Sequence, residues 1–170
     1  MVQDLYKSDD SWMDEIDLSD KDQVSRALDV RDAAAFNGLV GIHFLQVDPD
    51  CTIGYLDITD KHFQPFGVVH GGVTLSLIEA VASRAVDARV DLTKERPFGV
   101  HVEVDHKKPG KVGRLRCSAA FDYQEKNKQF WKVQVKDDED DVVSEGIFVT
   151  KIVSLERLAQ KDRERRMRAQ

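Results

Sequence analysis

Between residues 41 and 152 the apolar side chains recur at every second position, and one long segment breaks that rhythm. The runs Gly41 to Val47 and Cys51 to Ile58, split by Asp48-Pro49-Asp50, predict a β-hairpin. Val100, Val102 and Val104 alternate with His101, Glu103 and Asp105, as in a half-buried strand, and Pro109-Gly110 ends it. Leu115, Cys117, Ala119 and Phe121 alternate with Arg114, Arg116 and Asp122. Trp131, Val133 and Val135 then alternate with Lys132, Gln134 and Lys136. Val142 to Ile152 supplies a last strand after the acidic turn Asp137 to Asp141. Short turns between these four strands predict an antiparallel meander.

The interruption runs from Val73 to Val90. Leu75, Leu77, Ile78, Val81, Ala82, Ala85, Val86 and Ala88 cover nearly its whole circumference, which predicts a buried helix. Its length of roughly 27 Å matches strands of about nine residues, roughly 30 Å long. The expected architecture is α+β: one long central helix wrapped by a curved antiparallel sheet, ordered strand, strand, helix, four strands. Residues 36–153 form this domain. Residues 1–35 are an acidic, partly helical extension, with a helix starting near Ser19-Asp20 and carrying Val24, Ala27, Leu28, Ala34 and Ala35 to about Asn37-Gly38. Residues 154–170 read as a charged helix or tail, for which a basic interaction arm is an alternative.

At 170 residues, 41% hydrophobic and 33% charged, the chain suits one self-sufficient core. Its net charge of -6 opposes a nucleic-acid partner held through phosphates. The charge is polarised: residues 1–32 carry ten acids and four bases, and residues 151–170 carry seven bases and three acids. Cys51 and Cys117 match no metal-ligand spacing and read as reduced thiols. No stretch reaches the roughly 18 apolar residues of a membrane span, and Met1-Val2-Gln3-Asp4 lacks a signal-peptide order, so a cytoplasmic protein without a membrane partner is expected.

Chemistry concentrates where Lys61 to Gly72 enters the buried helix. Gly71-Gly72 allows a ligand to approach backbone N–H groups that the first helical turn leaves free, aided by the helix dipole. The glycines could equally serve only to turn the chain. Glu79 is the only acid between Val73 and Val86, in a segment that otherwise reads as buried, and such a carboxylate needs a partner or a function. Ser83 lies one turn on along the same face, and Arg84 at i+5 points elsewhere. Thioester hydrolysis suits this set, because a thiol of pKa about 8.5 leaves without a strong general acid. Glu79 could attack the carbonyl or deprotonate water, with the Gly71 N–H polarising the carbonyl and Gln64 orienting substrate or water.

The run Gln64-Pro65-Phe66-Gly67-Val68-Val69-His70-Gly71-Gly72, followed by Leu75 and Leu77-Ile78-Glu79, resembles the hotdog-fold acyl-CoA thioesterases of the PaaI and 4-hydroxybenzoyl-CoA thioesterase group. The likeness spans about Phe36 to Ile152. Most of that group has Asn and Asp where this chain has Gln64 and Glu79; one type has Gln and Glu at the same separation, with Thr at the position of Ser83. The resemblance implies Glu79 as nucleophile or general base, Gly71 as oxyanion donor, Gln64 and Ser83 as positioning groups, and His70 as a loop-holding histidine or a direct catalyst. It implies a homodimer with composite sites, pairing into a homotetramer, and coenzyme A as part of the substrate with no separate cofactor. It also places Gly72, Lys108, Asn127 and Lys128 near the CoA portion.

Other readings compete. His101, Glu103, Asp105 and His106 could bind a metal, although cross-strand ion pairs with Arg114, Arg116, Lys132 and Lys136 are the simpler expectation. Phe130 and Trp131 read as core and subunit contact. A non-catalytic acyl-CoA binding or regulatory module would keep the pocket without turnover. A dehydratase acting on carrier-protein thioesters would want a His–acid pair that Gln64 and Glu79 do not supply.

Overall fold

The computed structural model describes Met13 and residues 15–168. Two helices, α1 (Lys21–Ala34) and α2 (Phe36–Val40), precede the hairpin β1 (Ile42–Gln46) and β2 (Cys51–Asp57). The central helix α3 (Gly71–Arg89) follows, then β3 (Glu95–His106), β4 (Arg114–Glu125), β5 (Lys128–Lys136), β6 (Val142–Ser154) and α4 (Leu155–Arg168). The six strands form one antiparallel sheet ordered β1-β2-β4-β5-β6-β3. This is the expected α+β, hotdog architecture.

α3 lies against this sheet through Leu77, Ile78, Val81, Ala82, Ala85 and Val86, all fully enclosed. They meet Leu56, Leu115, Cys117, Trp131, Val135 and Phe148 from the strands. The helix comes so close to β2 that a Cβ on Gly54 would stand 2.5 Å from Val81 Cγ2. Trp131 is wholly core, edge-on to Phe121 at 5.4 Å, and Phe130 stacks on Tyr123 at 4.4 Å. Cys51 and Cys117 are free thiols, and burial pushes the Cys117 thiol well up.

Three expectations need correction. β3 does not join a simple meander: it pairs with β6, while β4 takes its place beside β2. The link from β3 to β4 is tied down rather than turned into a hairpin, because the amides of Lys107 and Lys108 still donate to Val143 O and Gly110 O accepts from Val69 N at 2.8 Å. In consequence, Arg114, Arg116, Lys132 and Lys136 pair with Asp57, Asp140, Asp122 and Asp140, not with the acids of β3. β3 is also not half-buried within one chain. Phe98, Val100 and Val102 are 48%, 49% and 38% exposed along the open edge of the sheet, where Pro97 costs no ladder bond.

The extension folds onto its own domain. α1, capped by Asp20 rather than Ser19, packs on the C-terminal half of α3 through buried Arg84, whose guanidinium lies 2.6 Å from both Asp29 Oδ1 and Ser25 O. Lys21 Nζ donates to Val90 O at 2.6 Å. The acidic residues 1–12 lie outside the described residues. α4 is helical and has no buried residue, with Leu155 and Leu158 half-buried and the rest exposed. Among the described residues, no helix is long and apolar enough to cross a membrane.

Candidate active site

The turn that enters α3 is built from its own backbone bonds. Gln64 N donates to Val68 O and Gly67 N to Gln64 O, with Gly67 at φ 74°, a conformation that disfavours a side chain. Two histidines hold the turn. His62 is buried, accepts from Thr59 N at 3.0 Å through Nδ1, and reaches Val40 O at 2.8 Å through Nε2. His70 is the N-cap of α3, and its Nδ1 accepts from Gly72 N at 2.9 Å. His70 therefore caps α3, and the N–H of Gly72 is taken by it. Gly71 N–H, at the first helical position, has no acceptor among the described residues.

Gln64, Gly71 and Thr74 line a cavity of about 310 Å³ with His106, Lys107, Lys108 and Gly110. A Cβ on Gly71 would meet His106 Nε2 at 3.1 Å, and His106 Nδ1 shares a 2.8 Å hydrogen bond with buried Ser144. Sequence reasoning weighed His106 only as a metal ligand and passed over His62. The spacing of Thr59 and His62, that of a capping box, was the available signal for the latter.

Glu79 is not in this cavity, and it is not buried. It stands on the exposed face of α3 one turn beyond Leu75, which is 37% exposed. Its carboxylate lies over the backbone of β3, where a Cβ on Gly99 would come 2.6 Å from Oε1, beside the irregular register at Gly99/His101. That position desolvates the carboxyl and raises its pKa, against a hydrogen bond from Ser83 that lowers it. No ion pair to Glu79 occurs among the described residues, and Arg84 is turned away to Asp29. Gly71 precedes Glu79 by eight residues on α3, about 12 Å of helical rise. A single chain therefore brings Glu79 and Ser83 together, and Gln64 and Gly71 together, but not the two pairs.

The expected CoA contacts are also spread out. Lys108 Nζ sits 2.7 Å from Asp137 and 2.6 Å from Asp141, and these bonds hold its pKa well above the ordinary ammonium range. Asn127 Nδ2 donates to Ile152 O at 3.0 Å in the β4–β5 turn, which shares a cavity with Arg89 and Val90 at the far end of α3. Lys128 faces Lys151 across the ladder. Of the proposed ligands on β3, His101 and Glu103 lie 3.7 Å apart, and Asp105 pairs with Lys107 at 3.3 Å.

Residues 66–144 match the family model described as the thioesterase superfamily. A candidate esterase of Mycobacterium tuberculosis is 33% identical over 113 residues, which span 65% of this chain and 81% of that one. Its solved structure superposes with a TM-score of 0.67 at 30% identity, over 70% of this chain and 96% of that one. A 1,4-dihydroxy-2-naphthoyl-CoA hydrolase of Listeria monocytogenes is 28% identical over 99 residues, 58% of this chain and 80% of the relative. Sheet order, central helix and this shared sequence lead to one conclusion: the chain belongs to the thioesterase superfamily and is a thioester hydrolase of hotdog fold.

Proposed function

We propose that the protein hydrolyses acyl-CoA thioesters at a site completed by two copies of the chain. The observation that carries this reading is the placement of Glu79, desolvated and without a cation, about 12 Å from the free Gly71 donor. One carbonyl cannot bridge that distance within a chain. A second copy laid along the open β3 edge would bring its Gln64 and Gly71 to this Glu79, covering Phe98, Val100, Val102 and Leu75 as it does so. The catalytic acid and the oxyanion donor of each site then come from different copies.

In that site Glu79 attacks the thioester carbon or takes a proton from water. The oxyanion that forms rests on Gly71 N–H, a donor worth about 3 kcal/mol in comparable sites. The carbonyl re-forms with expulsion of CoA thiolate, which needs no strong acid. Attack by Glu79 itself leaves a mixed anhydride, which water then hydrolyses. Gln64 and Ser83 orient the reacting groups, and His70 fixes the first turn of α3. The upward shift of the Glu79 carboxyl strengthens it as a base. The Listeria hydrolase and a 1,4-dihydroxy-2-naphthoyl-CoA thioesterase of Arabidopsis thaliana, 32% identical over 98 residues, make aromatic acyl groups the first to try.

The test mixes two inactive variants. Glu79→Gln should abolish thiol release, and Gln64→Ala should slow it strongly. Subunit exchange between them should restore about a quarter of wild-type turnover, since half the dimers are mixed and each holds one intact site. Full activity in Glu79→Gln would remove Glu79 from the chemistry, and mixing without recovery would place both groups in one chain's site.

A further inference from the structure

The rim of the Gly71 cavity carries two cations, Lys107 and Lys108, where a substrate bearing phosphates would be expected to find its counter-charges. Neither is free. Lys108 is held by Asp137 and Asp141 at 2.7 and 2.6 Å, and Lys107 by Glu145 and Asp105 at 3.2 and 3.3 Å. Each ammonium thus has two carboxylates, so each clamp carries one net negative charge. Asp137 is itself fixed, because its Oδ1 accepts the amides of Glu139 and Asp141 at 3.1 and 3.0 Å. Lys108 and its amide contacts keep its carboxyl below the usual range. The acidic turn is therefore tied to the rim of the cavity by one of the two lysines that could read a phosphate there.

From this geometry we propose that Asp137 and Asp141 are specificity-determining residues that withhold Lys108 from the substrate's phosphates. The inference rests on the proposed thioester site and deepens it: affinity comes from the acyl group and the pantetheine arm, and the nucleotide adds little at this rim. A phosphate entering here must displace a carboxylate from Lys108 and approach the one that remains. Lys108 is one-third exposed, so the exchange is set by a surface ion pair and not by a buried one. Removing one carboxylate should then change recognition of the nucleotide part by a modest factor and leave the thioester chemistry alone.

The experiment compares one aromatic acyl group carried by coenzyme A and by N-acetylcysteamine, which has the thioester and amide but no phosphate. The full chain is assayed as wild type and as Asp141→Asn, which leaves the Asp137 backbone bonds in place. Wild type should show KM values for the two substrates within about fivefold, the scale of one surface ion pair. Asp141→Asn should lower KM for the CoA thioester about twofold to fivefold with kcat unchanged, leave the N-acetylcysteamine thioester unaffected, and lose the gain at high salt. Calorimetric binding of free coenzyme A, which needs no turnover, should tighten by the same factor. A strong wild-type preference for the CoA thioester, or equal KM in wild type and Asp141→Asn, would overturn the filter while leaving the hydrolase reading intact. Failure of wild type to cleave either thioester would overturn both.

Discussion

Asp87 offers a test of the buried charge at the junction of α1 and α3. Its side chain is partly buried there, and its carboxyl is pushed from 3.8 up to about 7, first by desolvation and then by Asp32, against the attraction of Arg84, Lys21 and Arg96. The folded state therefore holds a proton that the unfolded chain releases near pH 4. Stability is highest below the unfolded pKa, falls as the pH rises from about 4 to about 7, and is level above that. At 1.36 kcal/mol per pH unit, the loss between pH 5 and pH 8 comes to about 2–3 kcal/mol. For a chain of this size that is about 5–10 °C in melting temperature. Asp87→Asn keeps the shape and removes the titration. Calorimetric melts of both proteins at pH 5 and pH 8 isolate the effect, because all other groups titrate in each. The variant should gain about 2–3 kcal/mol on wild type between the two conditions. Parallel curves would refute the desolvation of this carboxyl.

Further outcomes follow from the site. Gly99→Ala puts a methyl 2.6 Å from Glu79 Oε1 and 3.1 Å from Phe148 Cζ. It should cut kcat about 10- to 100-fold by displacing the carboxylate, while circular dichroism shows the fold retained. His62→Ala leaves Val40 O and Thr59 N without partners and should cost about 1–3 kcal/mol in urea unfolding. Thiol release should fall away in acid at a pH above the ordinary glutamate range, because Glu79 must be ionised and its carboxyl is shifted up. A midpoint near 4 would contradict that desolvation.

Much of this molecule is readable from spacing. The alternation from Leu115 to Phe121 and from Trp131 to Val135, and the apolar girdle of α3, place the sheet and its central helix because burial repeats with the backbone period. Strand order was not readable in the same way: nothing in β3 itself says that it pairs with β6. The same strand looked half-buried because Val100 and Val102 alternate as core residues do, yet one chain leaves them uncovered. Spacing detects an apolar face without identifying what covers it. Glu79 misled similarly, since an acid amid apolar residues suggests enclosure, and only the fold shows that it occupies the unburied stripe with Leu75. Lys108 was singled out for its charge, but its partners Asp137 and Asp141 are remote in sequence.

The anchoring of α1 bears on where this protein can be cut. Arg84 keeps only 2% of its surface in water, and its guanidinium spends its one bonded nitrogen on Ser25 and Asp29. Removing residues up to Ala34 would take Asp29 and Ser25 from that guanidinium and leave it enclosed beside Phe44. The leading segment, which lies before the residues that match the family model, is thus a structural component of the domain that follows it.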